Sequence, residues 1–455
     1  MERAAARQQR LFEHLTGSAT EATIEMAETS SRVGDPPSDD DVVIVSALRT
    51  PLTKTKRGGL RDTPADDLVA AVVQATLERT GVPAGDIQDV VFGSVLGPSS
   101  QRAMEVRMGC YYAGIPDNVP VYTVNRQCSS GLQAVANVAA AIRAGYITLG
   151  LAGGVESMTT NPMSWEGAPN ERIDTCSRAA DCLTPMGVTS ENVAAEFKIS
   201  RQVQDEFAAR SHAKAFAARA AGKFKDEIVP VKTFHVDPKT GERKPVVVSE
   251  DDGIREGVTA EKLAKLRPVF QDDGSTTAGN SSQTTDGAAA VLLTTRREAN
   301  RRNLPIFGVF RTFAAVGVPP AIMGVGPVYA IPAAAKLAGV DLQDVDVFEI
   351  NEAFASQASY SVNTLKLDPA KVNPNGGAIA LGHPLGATGA RQVATLLNEL
   401  KRENKRVGII SMCIGTGMGA AAVIEYEKAG GRLATAGGPA PKGAPAGLSK
   451  DVTGY

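Results

Sequence analysis

Two stretches of the chain share the same succession of polar and apolar positions. One covers residues 86–92 and the other residues 341–348, and each runs from a polar helical end through a short connection into apolar residues. A short apolar run bounded by polar residues is typical of a buried strand. Further along, a strand-like run leads into glycines at 147–154 and again at 407–419. This repetition predicts two duplicated α/β halves related by approximate two-fold symmetry.

The repeat also pairs two predicted helices, over 132–143 and 390–401, each of which follows a turn of small residues. The repeated segments begin 255 residues apart, and the same interval separates Cys128 from His383, which precede these helices. Unpaired N–H groups and the helix dipole stabilise an anion at a helix start, so we expect a lowered pKa for the Cys128 thiol. A single cysteine is more often an inert buried residue, but this matched placement favours chemistry.

Composition changes along the chain in a way that predicts domain boundaries. The globular part starts with an apolar run at 41–46, whereas the segment before it is rich in Ser, Thr, Glu, Asp and Pro, and the end of the chain is rich in Gly, Ala and Pro. Such compositions are typical of flexible segments. The predicted segments are a targeting presequence and linker (1–40), a first half (41–160, completed by 280–305), an inserted loop domain (161–279), a second half (306–428) and a disordered tail (429–455).

The inserted region has a pattern of its own. Residues 191–221 are strongly helical in composition, and the patterns at 228–232 and 245–249 predict short strands between loops. The region has no counterpart in the second half. We therefore interpret it as an insertion that lies over the core, where substrate-binding parts usually occur.

Composition disfavours several classes of protein. The formal net charge of −2 and the 5% of aromatic residues argue against binding to nucleic acid. We find no apolar run that approaches the ~20 residues needed to span a bilayer, so we expect no stable membrane insertion. The five cysteines are scattered, which is typical of a reducing compartment, and neither CxxC spacing nor the four histidines predict a metal site. The glycine clusters also lack the spacing of a dinucleotide-binding loop.

Four polar side chains and a glycine turn could together carry out nucleophilic chemistry. Cys128 is the candidate nucleophile, and it needs a base and a site for developing oxyanion charge. His383 could accept the thiol proton, and Cys413, between a strand and a glycine turn, could move a proton to or from carbon. Asn351, at a predicted strand end, could orient a water or donate to an oxyanion. The glycines after Cys413 allow backbone N–H groups to approach a carbonyl oxygen.

Four motifs resemble those of the thiolase family and occur in the family's order. They are Asn-Arg-Gln-Cys-Ser-Ser-Gly at 125–131, Asn-Glu-Ala-Phe at 351–354, Gly-His-Pro at 382–384 and Cys-Ile-Gly at 413–415. The resemblance is continuous over 42–426 and is greatest to the peroxisomal 3-ketoacyl-CoA thiolases of plants. It implies two duplicated βαβαβαββ halves packed as a five-layered αβαβα core with an inserted loop domain.

The resemblance also implies an activity, the CoA-dependent cleavage of a 3-ketoacyl-CoA to acetyl-CoA and a two-carbon-shorter acyl-CoA in fatty acid β-oxidation. Cys128 would carry the acyl group as a thioester, and Cys413 would protonate the acetyl-CoA enolate. His383, with a water held by Asn351, would stabilise the thioester oxygen of that enolate. The backbone N–H groups of Cys128 and Gly415 would form the oxyanion site of the acyl-enzyme. CoA is then a co-substrate, and no metal or redox cofactor is needed.

Further positions follow from the same resemblance. Met186 would line the acyl end, Ser282 would lie near the pantetheine of CoA, and Arg267 would lie near its nucleotide. We expect a homodimer, because the paired halves expose a sheet edge. Cys182 suggests an additional hypothesis, in which a reversible disulfide with Cys128 switches catalysis off under oxidising conditions. An unpaired buried thiol at this position is at least as compatible with the sequence.

The N-terminal segment resembles a cleavable peroxisomal signal. Arg7 and Gln8 are followed, after five residues, by His14 and Leu15, and on a helix these positions fall near one face. The resemblance implies a peroxisomal location and binding to the import receptor for this signal. Acidic residues in the segment disfavour a mitochondrial transit peptide, and the C-terminal Thr-Gly-Tyr is not an SKL-type address.

Three alternative functions stay open at this point. A biosynthetic acetoacetyl-CoA thiolase would share the chemistry and run it as a condensation. A ketoacyl synthase would share the architecture, but it pairs its cysteine with two histidines or with His and Asn, a pattern from which Cys413 departs. A non-catalytic lipid or CoA carrier of the same shape would have no need of Cys128 and His383.

Overall fold

The computed structural model describes residues 31–98, 101–164 and 167–427. The predictions made for the N-terminal signal at 7–15, for most of the linker and for the tail at 429–455 concern residues outside this part of the chain.

The first half begins with β1 (Val42–Arg49), an eight-residue strand in which every side chain is buried. Such a strand is covered on both faces. The first helix, α1 (Ala65–Thr80), buries Leu68, Val69 and Val72 at helical spacing, so one side of it faces the sheet. The short strand β2 (Thr53–Lys54) lies between β1 and α1. After α1, the elements of this half are β3 (Asp89–Gly93), α2 (Gln101–Tyr112), β4 (Val121–Val124), α3 (Ser130–Arg143) and β5 (Leu149–Ser157).

The inserted region is helical over most of 191–221, as its composition predicts, but the structure divides this stretch between two helices. Lys198 adopts a positive φ of 56° between them, and the side chain of Ser200 caps the start of the second helix. Phe197 stacks on Tyr360 of the second half with 4.0 Å between ring centroids, so tertiary packing ends the first helix. The elements of the region are α4 (Ser177–Asp181), α5 (Met186–Glu196), α6 (Arg201–Ala220), β6 (Val231–Val236), β7 (Arg243–Val248) and α7 (Ala260–Leu263).

A buried ion cluster anchors the inserted region to the core. The strands predicted at 228–232 and 245–249 form the antiparallel hairpin of β6 and β7, displaced by a few residues from the predicted positions. On either side of this hairpin, Glu227 and Asp251 pair with Arg49 at the end of β1, at 2.6 and 2.7 Å. The guanidinium fork matches two carboxylates at once, which fixes both ends of the hairpin against the first strand.

The second half repeats the order of the first. The strand that would correspond to β4 is reduced to a bridge between Phe348 and Val372. The helix expected over 390–401 begins earlier, at Leu385. The elements that complete the first half and build the second are β8 (Thr285–Thr295), α8 (Arg296–Arg301), β9 (Gly308–Gly317), α9 (Gly326–Ala338), β10 (Val347–Ile350), α10 (Ala355–Thr364), α11 (Ala378–Leu381), α12 (Leu385–Arg402), β11 (Val407–Ile414) and β12 (Met418–Glu425).

The strands of both halves form one sheet in the order β10-β11-β12-β9-β1-β8-β5-β3-β4, and β2 pairs with β8. Parallel pairs occur at corresponding places, β3 with β5 in the first half and β10 with β11 in the second. The halves join between β1 and β9 through only two residue pairs, Val43 with Val309 and Ile44 with Gly308. Because this junction is so short, the part of the sheet from the first half can lie face to face with the part from the second half.

Three clusters of buried apolar residues define the layers. The central cluster combines α3 and α12 with strands of both halves, including Val291 of β8 and Ile410 of β11. A second cluster packs α1 and α2 on the outer face of the first half, and a third packs α9 and α10 on the outer face of the second. The order of layers is therefore helix, sheet, helix, sheet, helix, which is the five-layered αβαβα core implied by the resemblance.

One apolar segment is longer than the apolar runs predicted from the sequence. Pro320–Ala338 has a mean hydropathy of 1.4 and, by length and composition alone, could cross a membrane. The segment is 67% buried inside the protein, and its helix is kinked at Ile322. A buried core helix meets the same criterion, so the segment is weak evidence for a membrane span.

The starts of α3 and α12 approach each other so closely that glycine is required between them. A Cβ atom at Gly131 of α3 would lie 2.6 Å from the carbonyl oxygen of Gly386 in α12. A Cβ atom at Gly154 of β5 would lie 2.0 Å from the same oxygen. Both distances are shorter than any ordinary Cβ contact. The glycines therefore place the segment of Cys128 beside the segment of His383.

We expect Gly154→Ala to lower the free energy of unfolding by about 3 kcal/mol, because the new methyl group meets backbone that cannot move aside. Gly317→Ala is the control, because nothing lies within 4 Å of its Cβ position, and it should change stability by less than about 0.5 kcal/mol. Urea unfolding of both variants measures the difference. Equal losses would show that the contact between the halves is not as tight as described.

Candidate active site

The backbone just before Cys128 has an unusual conformation. Gln127 has a positive φ of 46°, which a residue other than glycine rarely adopts. Two polar side chains stabilise it: Asn125 Oδ1 accepts a hydrogen bond from Gln127 N at 2.9 Å, and Ser130 Oγ donates to Gln127 O at 2.6 Å. The unusual backbone conformation before Cys128 is therefore stabilised by contacts within the same short segment.

Cys128 lies where the sequence places it, directly before α3, but the pKa of its thiol is raised and not lowered. Burial raises this pKa to about 11, and the negative charge of Glu156 adds to the increase. The backbone N–H groups of Gly415 and of Cys128 itself act in the opposite direction. The prediction from the helix start was wrong because it left out the desolvation of a thiol that is only 9% exposed.

His383 is buried and neutral. Burial, together with the positive charge of Arg391, lowers its pKa to about 3. Its Nδ1 lies 2.6 Å from Thr388 Oγ1, and its Nε2 lies 3.2 Å from Asn351 Nδ2. An amide nitrogen can only donate, so Nε2 is the acceptor and Nδ1 carries the proton. The ring is thus fixed in one tautomer and can accept a proton.

Asn351 follows the end of β10, as the sequence predicts. Its backbone N donates to Ser411 O at 2.9 Å, and its carbonyl accepts from Gln357 Nε2 at 2.9 Å. While its Nδ2 faces His383, its Oδ1 has no hydrogen-bond partner among the described residues. A buried amide oxygen without a protein partner is suited to binding a water.

Cys413 lies near the end of β11 and is fully buried. Burial raises the pKa of its thiol well above its usual range, and the charge of Cys128 raises it further. Cys413 packs with Met323 and Phe354, and Met186 of α5 contacts the same cluster. The second thiol therefore lies close enough to the first for their ionisations to influence each other.

The predicted catalytic residues are connected through short contacts from both halves. Gly415 N–H faces the thiol of Cys128, and Cys413 stands two residues before that glycine. Leu385, two residues after His383, packs against Cys128. Because the backbone of Asn351 is bonded to the strand that carries Cys413, the base, the amide and both thiols form one site.

The predicted substrate-binding residues differ in their distance from this site. Met186 lies beside it, with its Sδ 3.5 Å from the Cβ position of Gly415. Ser282 is close as well, because its backbone N donates to Ala353 O at 2.9 Å. Arg267 is exposed on the inserted region.

Cys182 lies near the site and is not bonded to Cys128, because both are free thiols. Its Sγ is 4.0 Å from the carbonyl of Thr416, which directly follows Gly415 and has a positive φ of 70°. The proposed disulfide between Cys128 and Cys182 stays a prediction.

Sequence reasoning missed three residues that shape the site: Gln127, Thr388 and Glu156. Gln127 and Thr388 carry no recognisable signal, because left-handed backbone and hydroxyl–imidazole contacts arise only in the folded chain. Glu156 does carry one, because it is the sole charged residue in the otherwise uncharged strand β5.

Comparison with known proteins identifies the class. Residues 42–297 match the family model Thiolase, N-terminal domain, and residues 304–426 match Thiolase, C-terminal domain. The chain therefore belongs to the thiolase family.

Among its relatives, it is 58% identical over 437 residues to 3-ketoacyl-CoA thiolase 2, peroxisomal, of Arabidopsis thaliana, an alignment that covers 93% of this chain and 95% of the relative. It is 53% identical over 414 residues to 3-ketoacyl-CoA thiolase A, peroxisomal, of Mus musculus, covering 91% and 97% of the two chains. Among solved structures, it resembles the dimeric peroxisomal thiolase of Saccharomyces cerevisiae with a TM-score of 0.80 and 48% identity, covering 86% of this chain and 99% of the other.

The raised pKa of Cys128 predicts a distinctive response to pH. Only the thiolate reacts with iodoacetamide, so alkylation of Cys128 without substrate should rise about tenfold per pH unit from pH 7 to 9.5 without levelling off. Mass mapping of the Cys128 peptide over time measures the rate. The exposed Cys176 is the internal control. A Cys128 rate that levels off below pH 8 would contradict the assignment of a protonated resting thiol.

Proposed function

We propose that this chain is a peroxisomal 3-ketoacyl-CoA thiolase, which cleaves 3-ketoacyl-CoA with CoA to yield acetyl-CoA and a two-carbon-shorter acyl-CoA. The observation that carries the proposal is the pairing of two buried thiols, Cys128 and Cys413, with the neutral base His383. The names of the relatives support the same substrate and reaction.

In the first step, the thiol of Cys128 loses its proton to His383 and its sulfur bonds to the 3-keto carbon. The C2–C3 bond then breaks, its electron pair moves onto the acetyl-CoA fragment as an enolate, and Cys413 donates the proton that converts the enolate to acetyl-CoA. The acyl group stays on Cys128 as a thioester. In the second step, the thiolate of Cys413 takes the proton of an incoming CoA, and the CoA sulfur bonds to the acyl carbon. The bond between the acyl carbon and the Cys128 sulfur breaks, and this sulfur takes back its proton from His383, which restores the resting enzyme.

Two sets of donors stabilise the negative oxygens of these steps. The N–H groups of Cys128 and Gly415, which already act on the resting sulfur, would donate to the oxyanion that forms at the acyl carbon. A water on Asn351 Oδ1, together with His383, would serve the enolate oxygen. Donors of this kind typically contribute about 2.7–4 kcal/mol each to lowering the barrier.

The substrate path follows from the same placement. Met186 borders the reacting atoms and is suited to contact the acyl chain, since a thioether adapts to chains of different shape. Ser282 lies beside the segment that carries Asn351, where pantetheine would pass. Arg267 is exposed on the inserted region, and its long side chain is suited to contact the nucleotide phosphates of CoA. No metal is invoked in any step.

An exposed apolar face supports a homodimer, the assembly named for the yeast structure. β4 forms an edge of the sheet, and five large apolar or aromatic side chains on β4 and α2 are 40–59% exposed. An unpaired strand edge beside such a patch is suited to a second copy. The residues of this face are Met104, Met108, Tyr111, Tyr112 and Tyr122.

Delivery to the peroxisome would use the N-terminal signal formed by Arg7, Gln8, His14 and Leu15, which an import receptor would recognise. The peroxisomal names of the relatives support the location. The receptor itself is inferred from the signal motif alone.

A series of 3-ketoacyl-CoA substrates of different lengths tests the function. We expect CoA-dependent cleavage of several lengths, and Cys128→Ala should abolish it because no thioester can form. The reaction is measured by the decrease in absorbance of the complex that 3-ketoacyl-CoA forms with magnesium. Turnover of acetoacetyl-CoA alone would favour the biosynthetic alternative, and turnover of no substrate would favour the carrier.

The proposed dimer interface is tested by introducing charged side chains into the exposed apolar face on β4 and α2. Tyr112→Lys combined with Tyr122→Lys should shift the sedimenting species from twice the 47.4 kDa chain mass to that mass, because two charges would have to be buried. Tyr146→Lys, which is 84% exposed outside the face, serves as the matched control. An unchanged dimer in the double variant would place the interface elsewhere.

A further inference from the structure

Glu156 is a buried carboxylate without an assigned role in the mechanism. It is the sole charged residue of β5, and its exposed fraction is 0%. Burial of a carboxylate is costly unless its oxygens are fully hydrogen-bonded. Its position therefore calls for an explanation in terms of what it contacts.

Four donors surround the two oxygens of Glu156. Oε1 accepts from Ser94 Oγ at 3.1 Å and from Leu96 N at 3.0 Å. Oε2 accepts from Val95 N and from Gly386 N, both at 2.9 Å. Because both oxygens accept hydrogen bonds from these donors, the geometry fits the ionised carboxylate. Burial raises the pKa of Glu156, whereas these N–H groups and the charge of Arg102 lower it.

The donors belong to the two segments that hold the reacting groups. Val95 and Leu96, in the loop after β3, pack against Cys128. Gly386 lies in the first turn of α12, three residues after His383. The carboxylate of Glu156 thus joins the loop that packs against Cys128 to the helix that begins beside His383. These two segments come from opposite halves of the chain.

We propose that Glu156 is a positioning residue for thiolysis, which locks the loop at 94–96 and the start of α12 together so that Cys128 and His383 keep their mutual placement. The proposal rests on the proposed function. It adds to that function a residue that touches neither substrate nor the reacting atoms.

The carboxylate also acts on Cys128 through its charge. Glu156 on β5 is the charged side chain that raises the pKa of the Cys128 thiol; the charge of Cys128 in turn raises the pKa of Cys413 on β11, and Arg102 on α2 acts on Glu156. The negative charge disfavours the thiolate, so the resting thiol keeps its proton until substrate and base are in place. Loss of the charge should therefore make the free enzyme more reactive and the catalysed reaction slower.

Two variants separate position from charge. Glu156→Gln keeps the size but turns an amide NH₂ toward two of the donors, and Glu156→Asp keeps the charge but shortens the side chain. Both should lower kcat about 10- to 100-fold and change the KM for CoA by less than about threefold. Only Glu156→Gln should speed alkylation of Cys128 by iodoacetamide at pH 8, about 3- to 10-fold, because only it removes the charge.

Glu191→Gln is the matched control. Glu191 is 5% exposed and accepts hydrogen bonds from the backbone of Ser275 and Thr276, so its loss disturbs a similar number of contacts. It should lower Tm without changing the alkylation rate of Cys128. This comparison separates positioning from general destabilisation.

A kcat within about threefold of wild type in both Glu156 variants would overturn the proposal, and so would equal alkylation rates in all variants. If neither variant folds, Ser94→Ala carries the test, because it removes one donor and leaves the backbone donors in place. It should lower kcat several-fold, and an unchanged kcat would overturn the proposal. Absence of thiolysis in the wild type would contradict the proposed function instead and would leave the alkylation result intact.

Discussion

The site depends on one close contact, the approach of two helix starts through glycine. Gly131 and Gly154 in the first half leave room for the carbonyl of Gly386 in the second. A side chain at any of these positions would force the two halves apart. The hydrogen bonds that join them would then be too long to form. Because the nucleophile and the base come from different halves, the reacting distance is set by backbone contact, which varies less than contact between side chains.

Burial then determines how the assembled groups are charged. The thiols are held protonated and the imidazole is held neutral, although a helix start and several N–H groups favour the anion of Cys128. In a site without water each charge is costly, so each step that forms or breaks a bond has to be accompanied by the transfer of a proton that neutralises the new charge. The resting enzyme consequently holds its two thiols and its imidazole uncharged. The first charge on a reacting atom forms only when the substrate carbonyl is attacked.

Much of the architecture was predictable because it is encoded locally. The repeated polar and apolar order located the paired strands and helices, and the matched interval located Cys128 and His383. Features that depend on tertiary contact were not predictable. The pKa of Cys128 depends on the enclosure around it, and the break near Lys198 depends on Phe197 packing against the second half. The role of Glu156 depends on donors from segments 60 and 230 residues away.

The place of β8 in the sheet has a consequence for biosynthesis. β8 lies between β1 and β5, yet it follows them in the chain, with 127 residues between the end of β5 and its own start. At ~5–20 residues per second, a ribosome takes about 6–25 s to make that stretch. During this interval both neighbouring strands lack their shared partner, and their open edges are available to other chains. The nascent chain therefore exposes these two strand edges until residue 295 has emerged.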